Sequence, residues 1–279
     1  MTQLARKGSI SVEELAALPV ATGFVRSWDG NRVAFYWNKS GRFEIHVLDL
    51  RTRETRQLTD GDLPATPRGG MVWTRDDRAV VFVRDNKGDE QNNLVKVDLD
   101  TLAVTQLNDD PRTQEYAGEM HPDNTRMAVT SNRAGQVNVF TLDLVHETHE
   151  WRQITSFGAP TSAGSWSPDG RWLSVTSNES SNLKNVDAYL VRDDGSEVRK
   201  ALSVTDGSRD SISDWHPDGR RVAVTSDASG TSRAGILDLE GGQVRWLTPE
   251  GAGYQEVSAR FSPDGRWLAA FRDHESSTM

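Results

Sequence analysis

Six copies of one turn, spaced almost evenly along the chain, constrain this sequence more than any other feature. Their aspartates are Asp29, Asp76, Asp123, Asp169, Asp218 and Asp264, at intervals of 47, 47, 46, 49 and 46 residues. The local sequences are SWDGNRVAF, WTRDDRAVVF, MHPDNTRMAV, WSPDGRWLSV, WHPDGRRVAV and FSPDGRWLAA. Three positions before the aspartate stands Trp73, Met120, Trp166, Trp215 or Phe261 in copies two to six; the first copy has Arg26 there and is atypical. A second motif follows each turn (IHVLDL, LVKVDL, VFTLDL, AYLVRD, GILDL), carrying Asp49, Asp98, Asp143, Asp193 and Asp238. A third closes the unit: QLT at 57–59, QLN at 106–108, QIT at 153–155, ALS at 201–203 and WLT at 246–248.

Turn chemistry gives these motifs a structural meaning. In Pro168-Asp169-Gly170 the proline presets φ, the aspartate accepts hydrogen bonds from its own backbone, and the glycine takes φ > 0. The turn joins two short strands; the VLDL-type segment is a third and the segment ending in QLT a fourth. Four antiparallel strands in about 45 residues is the size of a propeller blade. The predicted fold class is therefore all-β: a β-propeller of four-stranded antiparallel blades, about six repeats, the last incomplete. The aromatics before the turn are expected to pack between blades as core, not to serve as ligand platforms.

Residues 1–20 stand outside the repeat as a helical arm, and residues 21–279 form the propeller. SVEELAAL, residues 11–18, carries Ser11 as N-cap and Glu14 three positions on, a capping box, and Pro19 ends the helix. Val12, Leu15 and Leu18 give it an apolar face. The sixth copy halts after its second strand, which leaves an open sheet edge of the kind natural proteins avoid. This predicts a truncated product of something longer, prone to self-association. A ring closed by residues 20–35 is the alternative.

Composition narrows the function classes. The net charge of -9 argues against nucleic acid or an anionic membrane as partner. No cysteine is present, so no disulfide framework or thiol chemistry is available. Hydrophobic residues are 35%, few for a chain this long, but nine tryptophans supply bulky core material. No apolar run has the length of a signal peptide or a membrane span, so a cytoplasmic location is expected.

The order SVEELAALP, SWDGNRVAF, IHVLDLRTRETRQLT resembles the start of the prolyl oligopeptidase family of serine peptidases, in its acylaminoacyl-peptidase-like branch. RDNKGDEQNNLVKVDLDT at 84–101, SNRAGQVNVFTLDL and FSPDGRWLAAF fit as well, so the resemblance runs over essentially the whole chain. The SPDG turn alone is shared with TolB-like propellers. The resemblance implies a propeller that filters substrates by size and admits short peptides. It also implies a partner C-terminal α/β-hydrolase domain bearing a Ser-Asp-His triad. No nucleophile elbow G-x-S-x-G occurs in this chain, so no catalytic residue is carried over. The rival expectation is a TolB-like module that binds a protein or peptide without catalysis.

Other chemistry is thin, and no catalytic, cofactor or metal residue is assigned. His121 and His216 take the serine position of the turn and are expected on the surface. His146 and His149 form HETH without a third ligand nearby, too little for zinc. Asp76-Asp77, Asp109-Asp110 and Asp193-Asp194 fall in turns. DNKGDE at 85–90 resembles a calcium loop but has Lys87 at its third position and lacks the bidentate glutamate at the twelfth. Arg51, Arg53 and Arg56 cluster in one solvated turn.

Overall fold

The computed structural model describes residues 11–274 apart from 13, 15, 16, 64, 65, 68, 86–90, 109 and 147. Sheet 1 holds β1 (Ala21–Arg26), β2 (Arg32–Trp37), β3 (Glu44–Asp49) and β4 (Thr55–Gln57). Sheet 2 holds β5 (Val72–Trp73), β6 (Ala79–Arg84), β7 (Asn93–Asp98) and β8 (Val104–Gln106). In sheet 3 are β9 (Glu115–Met120), β10 (Arg126–Ser131), β11 (Asn138–Asp143) and β12 (Trp151–Gln153). Sheet 4 comprises β13 (Thr161–Trp166), β14 (Trp172–Ser177), β15 (Asp187–Arg192) and β16 (Val198–Leu202). Sheet 5 comprises β17 (Asp210–Trp215), β18 (Arg221–Ser226), β19 (Arg233–Asp238) and β20 (Val244–Trp246). Sheet 6 has two strands, β21 (Tyr254–Phe261) and β22 (Leu268–His274). Each four-stranded sheet is an antiparallel meander in chain order, and the first strands of successive sheets lie side by side. This is the expected propeller arc, five whole blades and a partial sixth.

The alternation of side chains along each strand explains the stacking. Ala34 and Tyr36 of sheet 1 face Val80 and Phe82 of sheet 2 in one buried cluster. Val81 and Val83, on the other face of β6, meet Met127 and Val129 of sheet 3. The same offset places Leu173 and Val175 on the sheet 3/4 layer, and Val222 and Val224 on the sheet 4/5 layer. Each sheet is thus apolar on both faces, and five thin layers replace a single core.

The aromatics before the turn sit between sheets, as expected. Their indoles also bond across the layer. Trp73 donates Nε1–H to the Val25 carbonyl, Trp166 to that of Glu119 and Trp215 to that of Ser165, each at 3.0 Å. Each acceptor lies four residues before the turn aspartate of the preceding sheet, so the repeat sets its own blade-to-blade register.

The closing motif also acquires a physical role. Thr59 Oγ1 accepts the Ile45 N–H and donates to Glu44, tying the fourth strand to the start of the third. Thr155 does the same with Val139 and Asn138. At Asn108 the side-chain oxygen accepts from Leu94 and the amide donates to Asn93. A residue able both to accept and to donate is what QLT, QIT and QLN share.

One expectation lies partly outside the described residues and one needs correction. Of the helix expected over 11–18, Val12 and Glu14 are helical, residues 13, 15 and 16 lie outside the described residues, and the reciprocal Ser11–Glu14 bonds of the cap form at 2.9 and 3.1 Å. Val12 and Leu18 are exposed. The correction concerns His121 and His216, which are not surface residues; both are buried. His121 Nε2 sits 2.9 Å from the Gly170 carbonyl of the next sheet, its ring edge-on to Trp166. His216 repeats this at Gly265, 3.2 Å, against Phe261. Imidazole is longer than the serine hydroxyl it replaces and reaches the neighbouring turn.

Candidate functional site at the propeller axis

The innermost strands bring one set of positions together around the axis. Four residues before the turn aspartates stand Val25, Val72, Glu119, Ser165, Asp214 and Arg260. Glu119 Oε2 accepts the Trp166 N–H at 2.8 Å, and Asp214 Oδ2 accepts the Phe261 N–H at 2.7 Å. Each carboxylate therefore bonds the backbone of the next sheet while half-buried beside the axis. Arg75 reaches Glu119 Oε1 at 3.3 Å and the Met120 carbonyl at 3.0 Å. Its guanidinium lies 3.4 Å over the Trp28 ring. Arg260 pairs with Ala269 in the sheet 6 ladder, and its side chain is exposed.

Electrostatics shows that these groups converge. Burial pushes the Glu119 carboxyl up; Arg75 opposes this, Asp214 adds to it, and Arg260 also opposes it. Asp214, on sheet 5, and Arg260, on sheet 6, are not on neighbours of sheet 3, so their influence on Glu119 acts across the axis. Burial likewise raises Asp214, with the Phe261 and Trp215 backbone bonds and Arg260 opposing. Two cations and two half-buried carboxylates on the inner strands thus act on one another.

Sequence reasoning passed over these residues because they lie one position from the conspicuous aromatics. Aligning that neighbouring column would have found them: three of its six members are charged.

The residues singled out by sequence go elsewhere. His146 pairs with Asp143, and His149 Nδ1 lies 3.1 Å from the Asp143 carbonyl. With Arg126, Arg152 and Glu150, His146 and Asp143 line an outer cleft of about 350 Å³. Among the described residues no three histidine or acidic side chains are placed to hold a metal. Asp77 is no catalytic partner of Asp76: its carboxylate accepts the Trp28 and Asp29 N–H groups at 2.7 and 2.8 Å, joining sheets 1 and 2. Asp110 bonds Arg112, Asp193 bonds Arg126, and Asp194 accepts the Ser196 N–H. Of the loop at 85–90 only Asp85 is among the described residues, and Asp109 and Glu147 lie outside them. Arg51 and Arg53 are exposed, while Arg56 donates to the Leu99 carbonyl at 2.7 Å.

The turn aspartates set the response to acid. Partial burial would raise the Asp218 carboxyl, but bonds from Arg220 and Arg221 bring it down to about 2. Hydrogen bonds also hold Asp29, Asp76, Asp123, Asp169 and Asp264 below the usual range. A carboxyl lowered by folding contributes stability above its unfolded pKa, near 4, and loses it as pH falls through the folded value. Glu115, Glu119 and Asp214, raised by burial, act with the opposite sign but are fewer. Tm measured by circular dichroism should therefore drop steadily from pH 5 to pH 2; a flat profile would contradict this account.

Four-stranded antiparallel meanders packed face to face around an axis, joined by a repeated SPDG-type turn, define a β-propeller domain. The chain belongs to the family of the TolB beta propeller domain, PD40, whose model matches residues 119–279. Among solved structures it is similar to TolB from Acinetobacter baumannii, with TM-score 0.63 and 18% identity over 81% of this chain and 53% of that one. It thus spans about half the length of that TolB. The β-propeller domain of the trilobed protease from Pyrococcus furiosus, which has an open velcro topology, matches with TM-score 0.62 and 16% identity, over 88% of this chain and 76% of that one. A puromycin-hydrolyzing peptidase from Mycobacterium tuberculosis matches with TM-score 0.63 and 14% identity, over 91% and 42%. At these identities the likeness concerns the fold. A sequence comparison with curated proteins gives no match.

Proposed function

We propose that the chain is the substrate-gating propeller of a serine peptidase of the prolyl oligopeptidase type, in its acylaminoacyl-peptidase-like branch. Chemistry would reside in a C-terminal α/β-hydrolase domain of the parent, which would act on short peptides in the cytoplasm. The observation that carries this reading is the axial ring of Arg75, Glu119, Asp214 and Arg260. A short peptide brings its carboxylate within reach of the axial arginines, and one whose amino terminus is not acylated also brings an ammonium to the axial carboxylates. A long chain lacks that pairing, so the ring favours short substrates.

The test uses the intact parent enzyme. Arg260→Glu is expected to lower the ratio of kcat/KM for a dipeptide-type substrate over that for a long peptide by about tenfold, the effect of one lost charge contact. The rate of fluorophosphonate labelling should stay unchanged, because the nucleophile lies in the other domain. An unchanged ratio removes the gating role; a parent that takes up no label removes the peptidase.

The second reading is a TolB-like module that docks a protein or peptide without catalysis, which the PD40 match favours equally. Under it the same axial ring binds, and no hydrolase domain is needed. On either reading the isolated chain should hydrolyse no acyl-aminoacyl chromogenic substrate.

A further inference from the structure

Away from the axis, the outer strands of sheet 3 border the cleft of about 350 Å³, a volume in the range of small-molecule sites. Strand register builds its wall. Arg126 of β10 stands opposite Asp143 of β11, and Arg152 of β12 stands opposite Thr141, two residues before Asp143 on the same strand. Side chains two apart share a face, so both arginines project from one side of the sheet, the side turned to sheet 4.

Both are fixed there by one turn of sheet 4. Arg126 Nη2 donates to Asp193 Oδ2 at 2.8 Å, and Arg152 Nη2 donates to the Asp194 carbonyl at 2.6 Å. Two flexible side chains are thus held in place before any ligand arrives, which lowers the entropy cost of binding. Each keeps donors in reserve. The contacts of Arg126 all run through Nη2, while its Nε is buried and has no hydrogen-bond partner among the described residues. A buried donor on a charged group without an acceptor is costly and uncommon. Arg152 bonds a neutral carbonyl and forms no ion pair among the described residues.

The acids around the cleft are already engaged. Asp143 accepts from His146 and from the Val145 and His146 N–H groups, and Asp193 holds Arg126. Asp194 accepts the Ser196 N–H and is not within ion-pair distance of Arg152, although it feels the guanidinium charge. Glu150, exposed at the rim, acts on His146. One guanidinium is therefore left to be balanced, and a ligand with a single negative charge balances it. A dianion would set its second charge beside Asp143 and Asp193.

We propose that this cleft binds a small carboxylate, held by the unsatisfied Nε–H of Arg126 and by Arg152. The planar pair of carboxylate oxygens matches the edge of a guanidinium, the geometry of the strongest charge-assisted bonds. The site is separate from the axial charges and stands whichever function the propeller serves.

NMR of the arginine Nε–H groups reads this directly. Titration with propionate should shift the Arg126 and Arg152 signals along one saturating curve and leave that of Arg53, exposed in its turn, in place. Propionamide, of the same shape without the charge, should move neither. Arg152→Gln changes an exposed side chain, so Tm should hold while propionate binds about tenfold more weakly. Arg126→Lys keeps the charge beside Asp193 but removes Nε–H, and should weaken propionate by about tenfold as well. Shifts that never saturate, or binding that both variants leave unchanged, would overturn the site. Inorganic phosphate binding as tightly as propionate would overturn the carboxylate as its ligand.

Discussion

Replacing Gly170 by alanine should cost about 3 kcal/mol and lower Tm by roughly 8 °C. Two effects add. Gly170 has φ +72, where a side chain costs about 1 kcal/mol or more. An added Cβ would also lie 2.4 Å from His121 Nε2, so the imidazole must leave and its bond to the Gly170 carbonyl is lost. Two controls separate the effects. Gly219 stands at the same turn position with φ +69 but has nothing within 4 Å of its Cβ, so Gly219→Ala should cost only the backbone share, about 1 kcal/mol. In a His121→Ser background, which restores the residue seen at Ser27, Ser167 and Ser262, Gly170→Ala should fall to the same level. Urea unfolding of the four proteins gives the coupling as a double-mutant cycle. Equal costs at Gly170 and Gly219 would show that the histidine bridge carries no weight.

Trp166→Ala should destabilise by about 4 kcal/mol, while Trp267→Ala should change stability by less than about 0.5 kcal/mol. The two differ in packing and not in kind. Trp166 is 3% exposed between sheets 3 and 4 and donates to the Glu119 carbonyl. Trp267, on sheet 6, is 71% exposed. Trp166→Phe divides the loss: it keeps most of the apolar area but leaves the Glu119 carbonyl unpaired, for about 1–2 kcal/mol. Chemical unfolding checks all three, and a large loss at Trp267 would contradict the exposure of its side chain.

The repeat was legible because turn chemistry is local. Proline, aspartate and glycine state their backbone requirements within four residues, so the six turns and the strands around them could be placed from sequence. The inter-sheet place of Trp73, Trp166 and Trp215 was legible too, since a large aromatic at a fixed step from each turn has nowhere else to pack. His121 and His216 were not. Their partners, Gly170 and Gly265, lie 49 residues away, and a polar side chain in a turn gives no local sign of burial. The axial charges were hidden for a similar reason. Glu119, Asp214 and Arg260 look like ordinary polar strand residues until sheets 3, 5 and 6 bring them to one axis. The cap at Ser11 was legible for the same reason as the turns: its chemistry is local, and its reciprocal bonds with Glu14 form.

The acid and histidine contacts between sheets 3 and 4 recur between sheets 5 and 6 and are absent between sheets 4 and 5. Sheets 3 and 5 supply an acid and a histidine, from Glu119 with His121 and from Asp214 with His216. Sheets 4 and 6 receive them through a backbone N–H and a turn glycine. The exchangeable module of this propeller is consequently the pair and not the single blade. A graft that transplants sheets 3 and 4 as one piece carries its internal fastenings with it. A graft of sheet 4 alone would set Gly170 beside a turn with no histidine to meet it, and would leave a donor stranded on the sheet left behind.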